Sequence, residues 1–220
     1  MCTIPWRSSR GAVIRATAGG ELLITSQNGL ALELTGWSGD SQWVYFTSSG
    51  EDVSGMADVF RVRASGGTPM AVAADRYETE FFAAPSGYEP GLLAISTRGR
   101  MAQGQWWRNG HSHIDESEIW LMREGSTGTA PRYERVAGGG AKYAWPMWSA
   151  DGRTLYYMSD KSGVENIHAR PVSGGDERAL TTFRDGRVIW PSIAANGSAI
   201  VFERGFAVWS LDPANGRARE

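Results

Sequence analysis

The stretch "WPMWSADGRTLYYMSDKSGVENIHARPVSGG", residues 145–175, decides the fold because its pattern returns 45 positions later. The later copy, "WPSIAANGSAIVFERGFAVWSLDPANG", covers residues 190–216. Both copies open on Trp-Pro, reach an Asp-Gly or Asn-Gly pair, continue through a short apolar run and end in a glycine-containing turn. A repeat of about 45 residues is typical of β-propellers, in which each repeat forms one four-stranded blade.

Two further copies lie upstream. The first is "TGWSGDSQWVYFTSSG" (35–50), followed by "DVFRVRASGGTP" (58–69). The second is weaker: "FFAAPSGYEPGLLAIST" (81–97), with "SEIWLMREG" (117–125) as its third strand. The repeat therefore extends over most of the chain.

The residues inside each copy predict strands and tight turns. Asp or Asn followed by a small residue tolerates the positive φ of a hairpin turn, as at Asp40-Ser41, Asp151-Gly152 and Asn196-Gly197. Short apolar runs then predict strands buried on both faces between neighbouring blades. These runs are 44–46, 155–158 and 200–202; third strands follow at 59–62, 167–172 and 206–211, and a fourth strand at 178–181. No long stretch keeps a helical period, so we predict an all-β chain.

The count of repeats predicts a propeller segment of about four to five four-stranded blades, incomplete or open. Residues 1–34 are expected to form the tail of a preceding blade, ending in "ELT". The predicted blades are 35–75, a degenerate blade at 76–141 with a long insertion loop at about 97–116, 142–183, and a last blade at 184–220. Open strand edges favour self-association. We expect a piece of a longer polypeptide, with closure by a partner chain or an irregular five-blade ring as alternatives.

The composition excludes several classes of function. The net charge of −2 gives no electrostatic reason to bind nucleic acid or an anionic membrane. The single cysteine, Cys2, cannot form an internal disulfide, and no apolar run reaches the roughly 20 residues of a spanning helix. Nothing predicts a cofactor. Since residues 1–20 show no secretion signal, we expect a cytoplasmic protein, or a periplasmic one if the N-terminus is truncated.

The repeat units, written "WSADGRTLYYMSDKSGVENI…SGGDERALT", resemble the WD-like repeats shared by tricorn protease propellers and the TolB propeller. The tricorn likeness is the more specific, because residues 145–216 resemble the last two blades of the first tricorn propeller. The sequence departs from that pattern at 106–121, where "GHSHID" replaces a run of Arg and Gly.

The resemblance implies a protease in which propellers guide peptides while a separate C-terminal serine peptidase region performs hydrolysis. The present sequence has no G-x-S-x-G motif. We therefore expect a non-catalytic module that forms a peptide-binding or substrate-gating channel and whose partners are a peptide substrate or other domains of the parent protease. The alternative is a TolB-like protein-interaction propeller with no protease, and a third hypothesis is a metal-dependent hydrolase.

The third hypothesis comes from His111, His113 and Asp115. Two histidines separated by one residue on an extended chain point to the same side, and a nearby carboxylate completes a zinc or manganese half-site. The alternative interpretation is an insertion loop whose histidines are hydrogen-bonded or solvated, which the scarcity of further ligands favours.

Two other groups are candidates for ligand binding. Trp106, Trp107 and Arg108 lie in the insertion loop and could stack on a peptide or sugar. Arg184 and Arg187 lie in a blade connection and Glu203 and Arg204 at the end of a strand, where they could bind a peptide or form salt bridges between blades.

The remaining polar and aromatic positions of the repeat are expected to be structural. Asp160, Lys161, Ser48 and Ser49 occupy turn positions found in several units, so we do not expect them to be catalytic. Four tryptophans are predicted to pack between blades: Trp37, Trp145, Trp148 and Trp190.

Overall fold

The architecture is that of a computed structural model, which describes residues 3–8, 11–15, 21–25, 32–50, 55–73, 78–99, 111–125 and 129–220. These ranges contain strands and one 3-10 turn, and no α-helix. The strands form five separate antiparallel sheets, each built from strands that follow one another along the chain. Each sheet is called a blade below and is numbered in chain order.

The strand bounds follow the repeat. Blade 1 holds three strands, and blades 2 to 5 hold four each. Blade 1 consists of β1 (Thr3–Ser8), β2 (Gly11–Arg15) and β3 (Glu21–Thr25). Blade 2 consists of β4 (Leu32–Trp37), β5 (Trp43–Ser48), β6 (Asp58–Arg63) and β7 (Met70–Ala73), and blade 3 of β8 (Glu78–Pro85), β9 (Leu92–Gly99), β10 (Ser117–Arg123) and β11 (Arg132–Ala137). Blade 4 consists of β12 (Tyr143–Trp148), β13 (Thr154–Ser159), β14 (Asn166–Pro171) and β15 (Arg178–Ala179), and blade 5 of β16 (Ile189–Ile193), β17 (Ile200–Arg204), β18 (Ala207–Asp212) and β19 (Arg217–Arg219).

The blades are arranged side by side around an axis. The first strand of each four-stranded blade contacts the first strand of the next, in the order β4, β8, β12 and β16. These strands are therefore the innermost ones. No strand pairing joins one blade to another in the described ranges. The predicted all-β propeller of four-stranded blades, not closed by hydrogen bonds, is confirmed.

One detail of the blade limits differs from the expectation. Residues 32–34, the beginning of the "LELT" segment assigned above to the tail of a preceding blade, lie in β4 and pair with β5. Leu34 packs against the apolar cluster of blade 2, which explains why it belongs to that blade.

The hairpin turns have the predicted backbone conformation. Ser41, Gly152 and Gly197 have φ values of 58°, 67° and 71°. In blade 4 the hydroxyl of Ser149 donates to Asp151 Oδ1 at 2.6 Å, and the Arg153 amide donates to the same oxygen at 3.1 Å. The Ser149 hydrogen bond is the main reason why the pKa of Asp151 lies below its ordinary value. Asp40 makes the equivalent contacts in blade 2.

The hydrophobic core consists of apolar layers between neighbouring blades. The apolar runs of β5 and β13 contribute to apolar clusters on both faces of their blades, as predicted. The prediction was wrong for the run 200–202, because Val201 of β17 is 43% exposed. The layer between blades 2 and 3 contains Tyr45, Val59, Ala83, Leu93, Ile95 and Met122. The layer between blades 3 and 4 contains Ile119, Leu121, Tyr143, Trp148, Leu155 and Tyr157. The layer between blades 4 and 5 contains Trp145, Met158, Ile167, Val188, Ile200 and Phe202.

Two of the four tryptophans assigned to packing between blades, Trp145 and Trp148, behave as expected, whereas Trp37 packs on residues of its own blade. Trp148 is buried and donates its indole N–H to the Ala84 carbonyl of blade 3 at 2.8 Å. Trp145 is buried between blades 4 and 5, and Trp37 is half-buried in the cluster of blade 2. The expectation for Trp190 was wrong, because 52% of its surface is exposed. Trp145 and Trp190 share a positive φ at a strand irregularity, and Trp190 lies on the exposed side of blade 5.

Candidate functional site

One face of the propeller collects most of the buried charge. On this face the first strands β8, β12 and β16 begin and the second strands β9, β13 and β17 end. The described part of the β9–β10 connection, residues 111–116, also lies there. We call it the entry face.

Lys142 is the centre of this charge cluster. It directly precedes β12, and only 2% of its side chain is exposed. Its ammonium lies 2.8 Å from Glu165 Oε1 of the same blade and 4.0 Å from Asp115 Oδ2 of the blade 3 connection. Burial raises the pKa of Glu165, while Lys142 and Arg187 oppose the rise. A buried lysine with two carboxylates thus joins blades 3 and 4.

Asp115 has spare hydrogen-bonding capacity. It is buried in the 3-10 turn His113–Asp115, and neither carboxylate oxygen accepts a hydrogen bond from the described residues. Arg98, near the end of β9, is also buried and lies within electrostatic reach. Burial lowers the pKa of Arg98 to about 10, although Asp115 and Glu33 favour its charged form. Both charged side chains are enclosed by the protein at this position.

The connection between blades 4 and 5, residues 182–188, is anchored from blade 4. Glu165 Oε2 accepts the Val188 amide at 3.0 Å, and Asn166 Oδ1 accepts the Phe183 amide at 2.7 Å. Arg187 is half-buried, with Nε 4.0 Å from Glu165 Oε1. Arg184 is exposed on the same connection, and none of the contacts found in the described part of the chain involves its guanidinium.

Arg204 has a structural position at the end of β17. Its guanidinium donates to the carboxylate and to the carbonyl of Asp185. It also lies over the ring of Phe183, 4.2 Å from the ring centroid, and 5.3 Å from that of Trp209. Glu203 beside it is half-buried. Of the four charged candidates in blade 5 and its connection, Arg184 is the most exposed.

The histidine pair lies at the edge of the entry face. His113 Nδ1 is 2.6 Å from Glu116 Oε1, and His111 Nε2 is 3.6 Å from the same oxygen. These three side chains form a group whose potential ligand atoms all lie within 4.8 Å of one another. Asp115, which the sequence pattern grouped with the histidines, is turned instead towards Lys142. The carboxylate of the group is that of Glu116.

Trp106, Trp107 and Arg108 lie outside the described residues, so their role as ligand-binding side chains stays a prediction.

The sequence did not identify three charged residues that hold the entry face together, namely Arg98, Lys142 and Glu165. The available signal was their position, since Lys142, Glu165 and Asp160 lie next to the ends of strongly apolar strands. Charged residues at such places are rarely buried unless they are paired. Asp160 is indeed structural, as its Oδ1 accepts the Lys142 amide at 2.7 Å.

A second buried polar group lies inside blade 4. Glu177 accepts a hydrogen bond from Tyr157 at 2.7 Å and lies 2.6 Å from the Lys161 ammonium and 2.7 Å from His168 Nδ1. Burial alone would raise the pKa of Glu177, but the contacts with His168, Lys161 and Tyr157 lower it to about 2. The pKa of the Tyr157 hydroxyl is raised mainly by burial and, to a smaller extent, by the neighbouring Glu177. The ring of His168 stacks on Tyr157, with centroids 6.2 Å apart, so this group stabilises the blade.

The opposite face has a groove between the hairpins of blades 2 and 3. It encloses about 220 Å³ and is lined by Trp43, Tyr45, Tyr88, Arg61 and Glu124, among others. Arg61 is already neutralised by Glu124 at 2.6 Å and stacks on Trp43. The charged groups of this groove that are named here are therefore already paired with each other.

The described residues contain no helix that is long and apolar enough to span a membrane.

Comparison with known proteins gives a consistent family relationship. The model of the tricorn protease N-terminal beta propeller domain matches residues 12–217. A tricorn protease homolog of Saccharolobus solfataricus is 24% identical over 121 residues, which are 55% of this chain and 10% of that protein.

Two solved structures have a similar fold. The putative TolB from Agrobacterium tumefaciens superposes with a TM-score of 0.73 at 17% identity, covering 98% of this chain and 74% of that one. The crystal structure of the tricorn protease superposes with a TM-score of 0.70 at 16% identity, covering 97% of this chain and 20% of that one. The chain thus spans only a small part of the tricorn proteins.

Proposed function

Because the chain belongs to the family of tricorn protease N-terminal β-propeller domains, we propose that it is a non-catalytic module of a serine peptidase. In this role it binds or gates peptide substrates at the entry face. Hydrolysis belongs to a separate peptidase region of the parent protein, and the other domains of that protein are its structural partners. The proposed compartment is the cytoplasm.

The observation that carries the proposal is the charge distribution of the entry face. Residues from three blades bring buried and half-buried charges next to the innermost strands β8, β12 and β16. Arg184 and Arg187 can bind a peptide carboxylate, since guanidinium and carboxylate form strong paired hydrogen bonds. Glu203 can bind an ammonium group. A mixture of both signs suits a peptide, which carries one charge at each end.

Binding can be measured by fluorescence anisotropy with short labelled peptides that have either a free or an amidated C-terminus. We expect Arg184→Ala combined with Arg187→Ala to weaken binding about tenfold or more, since a hydrogen bond to a charged group contributes about 1.5–3 kcal/mol. Amidation of the peptide should produce a similar loss in the wild type and none in the variant. Arg153→Ala, an exposed arginine in a hairpin of the opposite face, is the control. Equal affinities for all three proteins would contradict the proposal.

A second candidate is a TolB-like propeller that binds a folded protein and is not linked to a protease. It is favoured by the similarity to the putative TolB, of which the chain covers a larger share than of the tricorn protease. Cross-linking in the native cell separates the two. Attachment to a peptidase region in one polypeptide supports the first candidate, and a stable complex with a separate folded protein supports the second.

Self-association is part of the proposal for the isolated chain. In blade 5 the apolar side chains of Trp190, Val201 and Val208 are exposed. Val208 is the most exposed of the three, with 69% of its surface accessible. Two copies can cover these apolar side chains by placing blade 5 against blade 5. Sedimentation at increasing concentration should show a dimer in the wild type and a monomer in Val201→Lys combined with Val208→Lys. A wild-type monomer at every concentration would contradict it.

A further inference from the structure

We infer that His111, His113 and Glu116 form a binding site for a divalent transition metal ion, with zinc as the best fit. The group has two imidazole nitrogens and one carboxylate oxygen within 4.8 Å of one another. Imidazole nitrogen favours zinc and similar ions, whereas magnesium and calcium prefer sites made only of oxygen.

The distances are close to those of a tetrahedral site. Bonds of about 2.0–2.1 Å to zinc place neighbouring ligand atoms about 3.3 Å apart in a tetrahedron. His111 Nε2 and Glu116 Oε1 are 3.6 Å apart, which is near that value. His113 Nδ1 and Glu116 Oε1 are 2.6 Å apart and must separate by less than 1 Å. The side chain of His113 is 92% exposed, so it can make this movement without disturbing its surroundings.

Asp160 supplies an independent indication. Its Oδ2 lies 3.5 Å from His111 Nδ1, whereas Glu116 lies next to the other ring nitrogen, Nε2. The side chain is only 4% exposed, and this oxygen accepts no hydrogen bond within the described ranges. A carboxylate on the second nitrogen of a histidine is the usual support of a metal ligand, because it holds the proton on that nitrogen and leaves the other free for the metal.

Asp160 is also fixed in place. Its second oxygen accepts the backbone N–H of Lys142 at 2.7 Å. The carboxylate lies directly after β13 of blade 4, while His111, His113 and Glu116 belong to the connection of blade 3. A metal ion bound here would hold the three ligands of that connection together, and the contact between Asp160 and His111 links the connection to blade 4. Because the three ligands are half-exposed or exposed, a water molecule can fill the fourth position.

The test is a calorimetric titration of the chelator-treated chain with zinc chloride. We expect one ion per chain and a higher melting temperature in the presence of zinc, because an ion bound only by the folded state stabilises it. His111→Ala and His113→Ala should each weaken binding at least about tenfold, and Asp160→Asn should weaken it about 10- to 100-fold. The asparagine keeps the contact with the Lys142 amide but presents an N–H to His111, which favours the wrong tautomer. Glu134→Gln, an exposed carboxyl of β11, is the control and should bind as the wild type does.

Cobalt replacement provides a readout on the wild type alone, so that an unfolded variant does not block the test. A tetrahedral cobalt spectrum that zinc removes is expected. An octahedral spectrum, the absence of a bound ion, or equal affinity in the wild type and the two histidine variants would overturn the inference.

Discussion

Replacing Lys142 by methionine is the sharpest perturbation of the entry face. The ammonium lies 2.8 Å from Glu165 Oε1, and the side chain is 2% exposed. At an effective dielectric constant of about 20, two charges at this distance attract each other by about 6 kcal/mol. The free energy needed to remove the lysine ammonium from water offsets part of that attraction in the wild type. This desolvation term is absent from the variant. Breaking a buried pair on one side typically costs about 3–5 kcal/mol, and we expect Lys142→Met to lower the free energy of unfolding by that amount.

The assay is unfolding in urea, followed by tryptophan fluorescence at neutral and acid pH. Lys161→Met is the matched control. The Lys161 side chain is 43% exposed where it pairs with Glu177, so water screens the pair and the expected loss is about 0–1 kcal/mol.

The acid measurement tests the cause. In the wild type the pKa of Glu165 is already raised by burial, and without Lys142 it rises further. A carboxyl group whose pKa is higher in the folded state favours folding at low pH and loses that contribution as pH rises through the folded-state value. The difference between Lys142→Met and the wild type should therefore shrink as pH falls. An equal loss for Lys142→Met and Lys161→Met, or a difference that does not change with pH, would refute the reasoning.

Three further outcomes are expected from the same unfolding assay. The folded-state pKa of Glu177 is lowered to about 2, so its carboxylate stabilises the wild type above pH 4.5 and this contribution is lost as pH falls towards about 2. Glu177→Gln should remove this contribution, with a loss at neutral pH of no more than about 3 kcal/mol. Stability curves of wild type and variant that stay parallel over this pH range would contradict the prediction. Trp148→Phe should lower the free energy of unfolding by about 1–3 kcal/mol, because the Ala84 carbonyl of blade 3 loses its hydrogen-bond donor. Trp190→Phe should lower it by well under about 1 kcal/mol, because Trp190 is exposed. Equal losses for the two variants would contradict the different packing of these tryptophans. Gly39→Ala should cost more than about 1 kcal/mol, since its Cβ would lie 2.6 Å from the Gly87 carbonyl oxygen across the blades. Gly87→Ala meets no atom within 4 Å and should be neutral, and the reverse order would show that the hairpins of blades 2 and 3 are not adjacent.

The fold could be predicted from the sequence because residues close together in the chain specify the turns and strands of each repeat. Asp151-Gly152 and Asn196-Gly197 specify hairpins through backbone conformation, and the apolar runs that follow specify the second strands of the blades. These signals do not depend on distant partners. The packing of Trp148 also followed from the repeat, since every blade with a neighbour on that side buries the equivalent surface.

The site could be predicted only in part, because its contacts connect residues far apart in the chain. Asp115 and Lys142 are separated by 27 positions in the sequence, yet their charged atoms are 4.0 Å apart. Sequence spacing grouped Asp115 with His111 and His113, whereas the 3-10 turn directs Asp115 inward and Glu116 towards the histidines. Trp190 shares the Trp-Pro pair of Trp145 but is exposed, because the same pair faces different neighbouring surfaces at the two positions.

The most direct test of the proposed peptide-binding role is to locate a bound peptide. A short peptide with a photoreactive group, cross-linked to the chain and mapped by mass spectrometry, would identify the face that it contacts. We expect cross-links in the connection 182–188 and at Glu203, and we expect amidation of the peptide C-terminus to reduce them. Cross-links confined to the hairpin turns of the opposite face, near Gly39, Gly87 and Gly152, would contradict it.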